Sequence, residues 1–211
     1  MSKVIFSYAV VMAAGRGERM KPLTDYIPKA LSRTKSSFEL LDLALESLPT
    51  CRRYITYGHL AEQILDSYRH FDGFINTEGA SNSWFLFNSI VSFIDEPIIV
   101  TPCDIEYSID WDILAAEIDL SIPIHIIPVE SSKGIGDFIV DGKIQMRDAG
   151  ASSDKICSGI QVINPKLLRK YCKEGEFYDI WDNLSKLNLL KITKTMPFRW
   201  VARDTVESLS I

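Results

Sequence analysis

The sequence has few cysteines, no long apolar run and no excess of positive charge. Its four cysteines (Cys51, Cys103, Cys157 and Cys172) are widely spaced and form no Cys-x-x-Cys pair, which argues against a metal cluster and a disulfide framework. No apolar run approaches the roughly 18 residues that a membrane span requires. The net charge of −5 at pH 7 argues against a general nucleic-acid surface, which is normally basic. These absences predict a cytoplasmic protein that binds neither membrane nor nucleic acid.

Chain length and patterning predict the fold class. A chain of 211 residues, 46% apolar and 24% charged, suits one substantial core, so we expect one domain over residues 1–211. Short apolar runs alternate with amphipathic stretches, which predicts an α/β fold with a mixed, mostly parallel sheet and helices on both faces. The predicted strands are residues 8–12, 53–57, 73–76, 97–101, 121–129, 138–146 with a hairpin turn at 141–142, 159–163, 190–196 and 200–202. The predicted helices are residues 38–48, 60–68, 82–94, 111–118, 165–172 and 178–187.

Residues 10–31, VVMAAGRGERMKPLTDYIPKAL, carry the strongest functional signal. An apolar strand runs into a glycine-rich loop, where backbone N–H groups can approach phosphate oxygens because glycine has no Cβ. Arg16, Arg19, Lys21 and Lys29 add more positive charge than a structural turn needs. A basic surface loop after a buried strand is the alternative, but the pattern favours a polyphosphate site. The predicted nucleotide-binding residues of this loop are Ala13, Ala14, Gly15, Arg16 and Gly17.

Two other phosphate-binding motifs do not fit this loop. A P-loop requires Lys-Ser/Thr after its last glycine, and a dinucleotide fingerprint requires a third glycine where Met20 stands. An NAD-dependent oxidoreductase also needs an acidic ribose ligand about 20 residues after the loop, at the end of a second strand. Glu39 and Asp42 are near that spacing but lie inside a predicted helix, which argues against an oxidoreductase.

The longer string is more specific than its glycines alone. Ala-Ala-Gly-x-Gly-x-Arg-Met-x-Pro-Leu-Thr, followed by Pro-Lys-Ala-Leu, resembles the signature of the nucleotidyltransferase (NTP_transferase) superfamily. That superfamily includes sugar-1-phosphate nucleotidylyltransferases and the choline-phosphate cytidylyltransferase type. The resemblance implies a Rossmann-like nucleotidyltransferase fold and transfer of a nucleoside monophosphate to a phosphate monoester, with release of pyrophosphate. It gives catalytic roles to Arg19, on the β- and γ-phosphates, and to Lys29, on the α-phosphate and the acceptor phosphate.

Acidic residues from two distant segments are the predicted Mg²⁺ ligands. Asp104 follows the predicted strand 97–101, and Glu106 stands two residues later; hard carboxylate oxygens together with substrate phosphates suit Mg²⁺. The resemblance puts the first metal aspartate at Asp104, with Glu106 as a second candidate. The ending RWVARDTVESL is similar to the family's Trp-x-x-Ile-Asp-Thr-x-Glu-Asp-Leu, which implies a metal role for Asp204. Alternatively, the Asp-x-Gly-Thr ending of the sugar-phosphate members aligns Ala202 with the metal position. Asp204 would then only cap a helix that begins at Thr205.

Three further segments resemble the substrate-binding parts of the family. Ser-Gly-Ile at 158–160 implies that Gly159 lines the acceptor, and NTEGASNS at 76–83 takes the place of the base-recognition loop, with Asn82 on the nucleotide. This Asn-containing loop and FYDIWDN at 177–183 are more similar to the choline-phosphate branch. There Asp179 and Trp181 would bind a quaternary ammonium by charge and cation–π attraction, although aromatic residues at helical spacing are more often core. The histidines have no partner spacing and are assigned no role.

The predicted substrates follow from these segments. A nucleoside triphosphate and a small phosphorylated acceptor are the expected partners, with CMP transfer from CTP to phosphocholine or a phosphonate favoured. A sugar-1-phosphate nucleotidylyltransferase that uses UTP, GTP or dTTP is one alternative. A non-catalytic, nucleotide-binding regulatory relative is another.

Overall fold

The apolar run Tyr8–Met12 forms strand β1 near the middle of a mixed sheet in the computed structural model, which describes residues 4–68, 71–134, 136–145 and 152–210. The strands are β1 (Tyr8–Met12), β2 (Arg52–Tyr57), β3 (Gly73–Asn76), β4 (Ile98–Pro102), β5 (Ile105–Ser108), β6 (Ile124–Glu130), β7 (Phe138–Val140), β8 (Lys143–Gln145), β9 (Lys155–Ile163), β10 (Leu190–Ile192) and β11 (Arg199–Ala202). The helices are α1 (Leu40–Glu46), α2 (Ala61–Ser67), α3 (Phe85–Asn88), α4 (Trp111–Glu117), α5 (Pro165–Leu168) and α6 (Phe177–Lys186).

The main sheet has the strand order β10-β6-β9-β4-β1-β2-β3. β1 pairs in parallel with β2 and β4, β2 with β3, and β10 with β6, whereas β9 is antiparallel to both β4 and β6. The parallel strands therefore end at one edge, where α/β proteins bind their ligands. β7 joins this sheet by pairing with β9, and β8 pairs with β7; β5 and β11 form a separate antiparallel pair.

Helices cover both faces of the main sheet. Ala9 and Val11 of β1 belong to the core that includes the buried residues of α1, α2 and α4. Val10 faces the other core, which includes the buried residues of α3, α5 and α6. Every second side chain of a strand points to the same face, so the continuous apolar run of β1 serves both layers. None of the helices in the described ranges has the length and apolar character that crossing a membrane would require.

Most predicted elements are present with shifted ends, but two regions differ. The predicted helix 82–94 is divided into α3 and a 3-10 turn, Ile90–Phe93, because Ser89 is extended. The hydroxyl of Ser89 accepts the N–H of Val91 at 3.2 Å and caps that turn. Strand β5 was not predicted, and β9 begins four residues before the predicted strand 159–163. The hairpin turn at Asp141 and Gly142 is present, with φ of 49° and 73°, while residue 146 of its second predicted strand lies outside the described residues.

Candidate active site

Three adjoining cavities lie along the edge where the parallel strands end. We call them the glycine-loop, carboxylate and tryptophan cavities; their volumes are about 450, 250 and 300 Å³. Gly15 lines the first two, and Arg19, Asp104 and Asp204 line the last two. Together they form one continuous cleft. The other residues of the carboxylate cavity are Met12, Gly17, Glu18, Lys29 and Cys103.

The glycine-rich loop is held in place by close packing. Gly17 has a φ of 62°, and a Cβ there would lie 2.8 Å from Cγ2 of Thr24 and 3.1 Å from Cβ of Lys29. Glycine is therefore required at this position by both backbone conformation and space. The buried Thr24 hydroxyl donates to the Gly17 carbonyl oxygen at 2.9 Å. Gly15, by contrast, has open space around it and faces the cleft.

Ala13 is the one predicted residue of this loop that lines none of the three cavities. Ala13 is buried, and its N–H donates to the hydroxyl of Thr56 at 3.1 Å and lies 3.2 Å from the Thr56 carbonyl oxygen. This N–H is therefore already used within the sheet edge. Ala14, Gly15 and Arg16 line the glycine-loop cavity.

Two ion pairs join the N-terminal loop to acids from distant strands. Lys29 Nζ contacts Asp104 Oδ2, and the two side chains are only 14% and 13% exposed. Arg19 Nη1 lies 2.5 Å from Asp204 Oδ2, with the arginine 64% exposed and the aspartate 20% exposed. The four predicted charges thus meet in one cleft, and each cation has a carboxylate partner.

The β5–β11 pair brings the two carboxylates together. Asp104 precedes β5 and Asp204 follows β11, and the antiparallel register sets Ile105 opposite Ala202. The backbone N–H of Arg203 donates to the carbonyl oxygen of Asp104 at 2.8 Å. Asp204 therefore belongs to the cleft. The helix-cap alternative is not supported, because Thr205 caps the last turn: its hydroxyl accepts the N–H of Ser208 at 3.3 Å.

Glu106, the second candidate metal ligand of this segment, lines none of the three cavities of the cleft. Its carboxylate oxygens lie 2.6 Å from Arg199 Nη2 and 2.7 Å from Arg203 Nη1. Because side chains alternate along a strand, Glu106 of β5 pairs with arginines of the β11 segment instead of facing the carboxylate cavity. It stabilises the strand pair that carries the two aspartates.

The remaining donor set suits a hard divalent cation. In the part of the chain that the structure describes, no group of three or more His, Cys, Asp or Glu side chains has the arrangement of a self-contained metal site. Magnesium is commonly held by one or two carboxylates plus substrate phosphates, and Asp104 and Asp204 line the same cavity. Burial, together with the Asp104 charge, raises the pKa of the neighbouring Cys103 thiol to about 12, which disfavours the reactive thiolate.

The tryptophan cavity contains two indole rings. Trp181 of α6 and Trp200 of β11 line it with Asp137 and Gly159. The Nε1–H of Trp181 donates to Gln161 at 2.9 Å, and that of Trp200 donates to the Ser158 carbonyl at 3.0 Å. These bonds fix the orientation of both rings. Trp200 and Asp137 were not predicted, since only the fold brings the β7 and β11 segments beside α6.

Gly159 lies where β9 passes the corner between β4 and β5. Its φ is 87°, and a Cβ would lie 2.7 Å from Cδ1 of Ile105. Only glycine fits this close approach, because any other residue would place a Cβ against Ile105. The missing side chain also leaves this wall of the tryptophan cavity open. Asp179, also predicted to bind the acceptor, is exposed and lines a separate cavity with Tyr171 and Asn183.

The glycine-loop cavity is polar and carries acids. Besides the loop, it is lined by Asn82, Glu78, Glu176 and His59. The side-chain oxygen of Asn82 accepts the N–H of Phe177 at 2.9 Å, which leaves the amide NH₂ as the group available for a ligand. Glu39 and Asp42, the ribose ligands that an oxidoreductase would need, instead lie 3.1 and 2.6 Å from the Tyr68 hydroxyl.

Comparison with solved structures identifies the fold. No protein-family model matches the sequence. The chain is similar to an inositol-1-phosphate CTP transferase from T. maritima, with a TM-score of 0.74 and 16% identity over 98% of this chain and 93% of that one. It is also similar to a Bacillus anthracis protein assigned as a glucose-1-phosphate thymidylyltransferase, with a TM-score of 0.75 and 17% identity over 96% and 92% of the two chains. This chain has the nucleotidyltransferase fold.

HddC from Yersinia pseudotuberculosis has the same fold, with a TM-score of 0.72 and 20% identity over 96% of each chain. The predicted fold class is thereby confirmed. Sequence identities this low support a shared fold but not a shared activity or substrate, because one fold hosts many activities. The function therefore has to be argued from the cleft.

Proposed function

We propose that this protein is a Mg²⁺-dependent nucleotidyltransferase that transfers a nucleoside monophosphate from a triphosphate to a small phosphate monoester. One observation carries the proposal: Arg19 and Lys29 of the N-terminal loop meet Asp104 and Asp204 in a single cleft. The two basic side chains can bind a polyphosphate and the two carboxylates can bind a divalent cation. Both pairs are thus within reach of one metal-bound triphosphate. A surface turn without function would not require four such charges from three distant segments.

The proposed reaction needs no covalent protein nucleophile. An oxygen of the acceptor phosphate attacks the α-phosphorus, the bond from that phosphorus to the bridging oxygen of the β-phosphate breaks, and pyrophosphate leaves with the bonding electrons. Catalysis then depends on positioning and charge stabilisation. Arg19, assisted by Arg16, binds the β- and γ-phosphates, and Lys29 binds the α-phosphate and the acceptor phosphate. When held by Asp104 and Asp204, Mg²⁺ supplies Lewis-acid neutralisation of the phosphate charge.

The glycine-loop cavity favours a base with an exocyclic amino group. Glu78 and Glu176 can only accept hydrogen bonds when ionised, whereas the NH₂ of Asn82 is a donor. Cytosine matches this set, because its N4 amino group donates while its O2 and N3 accept. Uracil and thymine lack the amino group. Adenine and guanine have an amino group as well, so these contacts favour CTP over UTP and dTTP as the donor substrate.

The tryptophan cavity favours an acceptor with a positively charged head group. Trp181 is half-buried and offers aromatic surface, the buried Trp200 forms part of the wall, and Asp137 adds negative charge to the cavity. Cation–π attraction and a carboxylate together suit a quaternary ammonium, which supports phosphocholine, with an aminoalkyl phosphonate as a related acceptor. The second candidate is a sugar or cyclitol 1-phosphate, the class named for two of the structurally similar proteins.

Pyrophosphate release tests the proposal directly. CTP, UTP, GTP, dTTP and ATP are each incubated with MgCl₂ and phosphocholine, an aminoalkyl phosphonate, glucose 1-phosphate or inositol 1-phosphate. We expect the fastest release with CTP and phosphocholine. Lys29→Ala and Asp104→Asn should each lower kcat by about 10²- to 10³-fold, the usual effect of removing one charge-stabilising group. Lys166→Ala, which removes an exposed ion pair with Asp95, is the matched control.

Two outcomes contradict the proposal. Release at near wild-type rates in Lys29→Ala or Asp104→Asn excludes the assigned roles. Tight nucleotide binding without any release across the full panel favours a non-catalytic, nucleotide-binding regulatory protein instead.

A further inference from the structure

The turn between β2 and α2, residues Gly58, His59 and Leu60, packs tightly behind the glycine-rich loop. A Cβ at Gly58 would lie 3.2 Å from the Ala14 carbonyl oxygen and 3.3 Å from Cα of Glu78. Leu60 has a φ of 52°, a left-handed conformation that is unfavourable for a branched L-residue. Such strain persists where the surrounding structure imposes it, and it is concentrated at functional sites. The tight packing of Gly58 and the constrained backbone of Leu60 thus hold His59 in position between them.

His59 bonds to the glycine-rich loop in two places. Its backbone N–H donates to the carbonyl oxygen of Ala14 at 3.3 Å. Its Nε2 lies 2.8 Å from the carbonyl oxygen of Thr24, and since a carbonyl only accepts, Nε2 carries the hydrogen. Thr24 in turn donates through its hydroxyl to the Gly17 carbonyl oxygen. A path of hydrogen bonds therefore runs from His59 to the segment that carries Arg19.

We propose that His59 is a positioning residue for the triphosphate, which holds the Gly15–Arg19 segment in its binding geometry before nucleotide arrives. The proposal rests on the nucleotidyltransferase function given above. A loop that is already ordered loses less conformational freedom when a ligand binds. His59 lines the same cavity as Gly15 and Arg16, so its bond to Thr24 is made directly beside the loop that it holds.

The sequence offers a matched control on the same loop. Gln63 of α2 donates through Nε2 to the carbonyl oxygen of Tyr26 at 2.9 Å, two residues after the carbonyl that His59 binds. Gln63 lines none of the three cavities of the cleft. Removing its side chain therefore deletes a similar bond from helix to loop without touching the path to Gly17.

The experiment measures affinity for two probes, CTP with MgCl₂ and inorganic tripolyphosphate with MgCl₂, by titration calorimetry. We expect His59→Ala to weaken binding of both probes about 5- to 10-fold, the equivalent of one lost hydrogen bond. His59→Gln should recover most of the loss because its Nε2 can donate to the same carbonyl. Thr24→Val, which removes the next bond of the path, should behave as His59→Ala, and Gln63→Ala should bind as wild type. In turnover assays, His59→Ala should raise KM for the nucleotide and leave KM for the acceptor unchanged.

The outcomes separate this inference from the proposed function. If the wild-type protein binds neither probe, the proposed function fails and this inference fails with it. If the wild type binds both and His59→Ala and Thr24→Val bind equally well, only the inference is overturned. Equal weakening by Gln63→Ala also overturns it, since the effect would then be general loosening of the loop. Weakening of CTP without weakening of tripolyphosphate would make His59 a base contact instead.

Discussion

Lys29→Met tests the ion pair at the centre of the cleft. Methionine has a similar length and no charge, so Asp104 would keep a carboxylate that is only 13% exposed and has lost its cation. Breaking a fully buried pair costs roughly 3–5 kcal/mol. Since this pair borders an open cavity, we expect a loss of about 2 kcal/mol in the free energy of unfolding. For a protein of this size that corresponds to a fall in Tm of about 4–8 °C.

Thermal unfolding with and without MgCl₂ is the assay. Because added Mg²⁺ can compensate the carboxylate that lost its lysine, MgCl₂ should raise the Tm of Lys29→Met more than that of wild type. Adding Asp104→Asn to Lys29→Met should remove both the loss of stability and the extra response to magnesium. Lys166→Met is the control: its pair with Asp95 has side chains that are 51% and 68% exposed, and such surface pairs contribute little.

The reasoning would be refuted by either of two results. One is a Tm for Lys29→Met within about 1 °C of wild type, which would mean that the pair contributes almost nothing. The other is an extra magnesium response that survives Asp104→Asn, which would place the cation elsewhere.

Three further predictions concern other parts of the molecule. Trp181→Ala should raise KM for phosphocholine about 2- to 30-fold through lost cation–π attraction and leave KM for CTP unchanged; an unchanged KM for phosphocholine would exclude the cage. Gly159→Ala should destabilise the protein by about 1–3 kcal/mol in urea unfolding, because φ is 87° and the new Cβ would lie 2.7 Å from Ile105. Burial lowers the pKa of His125 from 6.5 to about 4, so the unfolded chain binds the proton more readily. Stability should therefore fall by up to roughly 3 kcal/mol as the pH drops from about 6.5 to 4, and His125→Gln should show a smaller fall over that range.

The functional loop could be predicted because its chemistry is local in sequence. Strand β1, Gly15, Gly17 and Arg19 fall within a dozen residues, and the reasons for each (burial, a positive φ, space beside Thr24) act between near neighbours. Asp104 could be placed for a similar reason, since a strongly apolar strand that stops at an acid puts this acid at the ligand-binding edge.

Residues whose role depends on long-range pairing could not be predicted in this way. Glu106 looked like a second metal ligand because it stands two residues from Asp104. It is instead paired with Arg199 and Arg203, which only the antiparallel register of β5 and β11 brings near. Asp179 was assigned to the acceptor because it is close to Trp181 in sequence, yet two positions along a helix are about 200° apart.

The pairing of charges in the cleft has a consequence for how ligands bind. Lys29 pairs with Asp104, and Arg19 pairs with Asp204, so the charges of each pair neutralise one another. A triphosphate alone would draw both cations away and leave two carboxylates beside its own negative charge. A divalent cation alone would likewise face a lysine and an arginine. If the proposed function holds, the phosphates would pair with the cations and the carboxylates with the metal when both bind, so no charge would lose a partner. Binding of the two should therefore be mutually favourable, and by linkage each should raise the affinity for the other by the same factor.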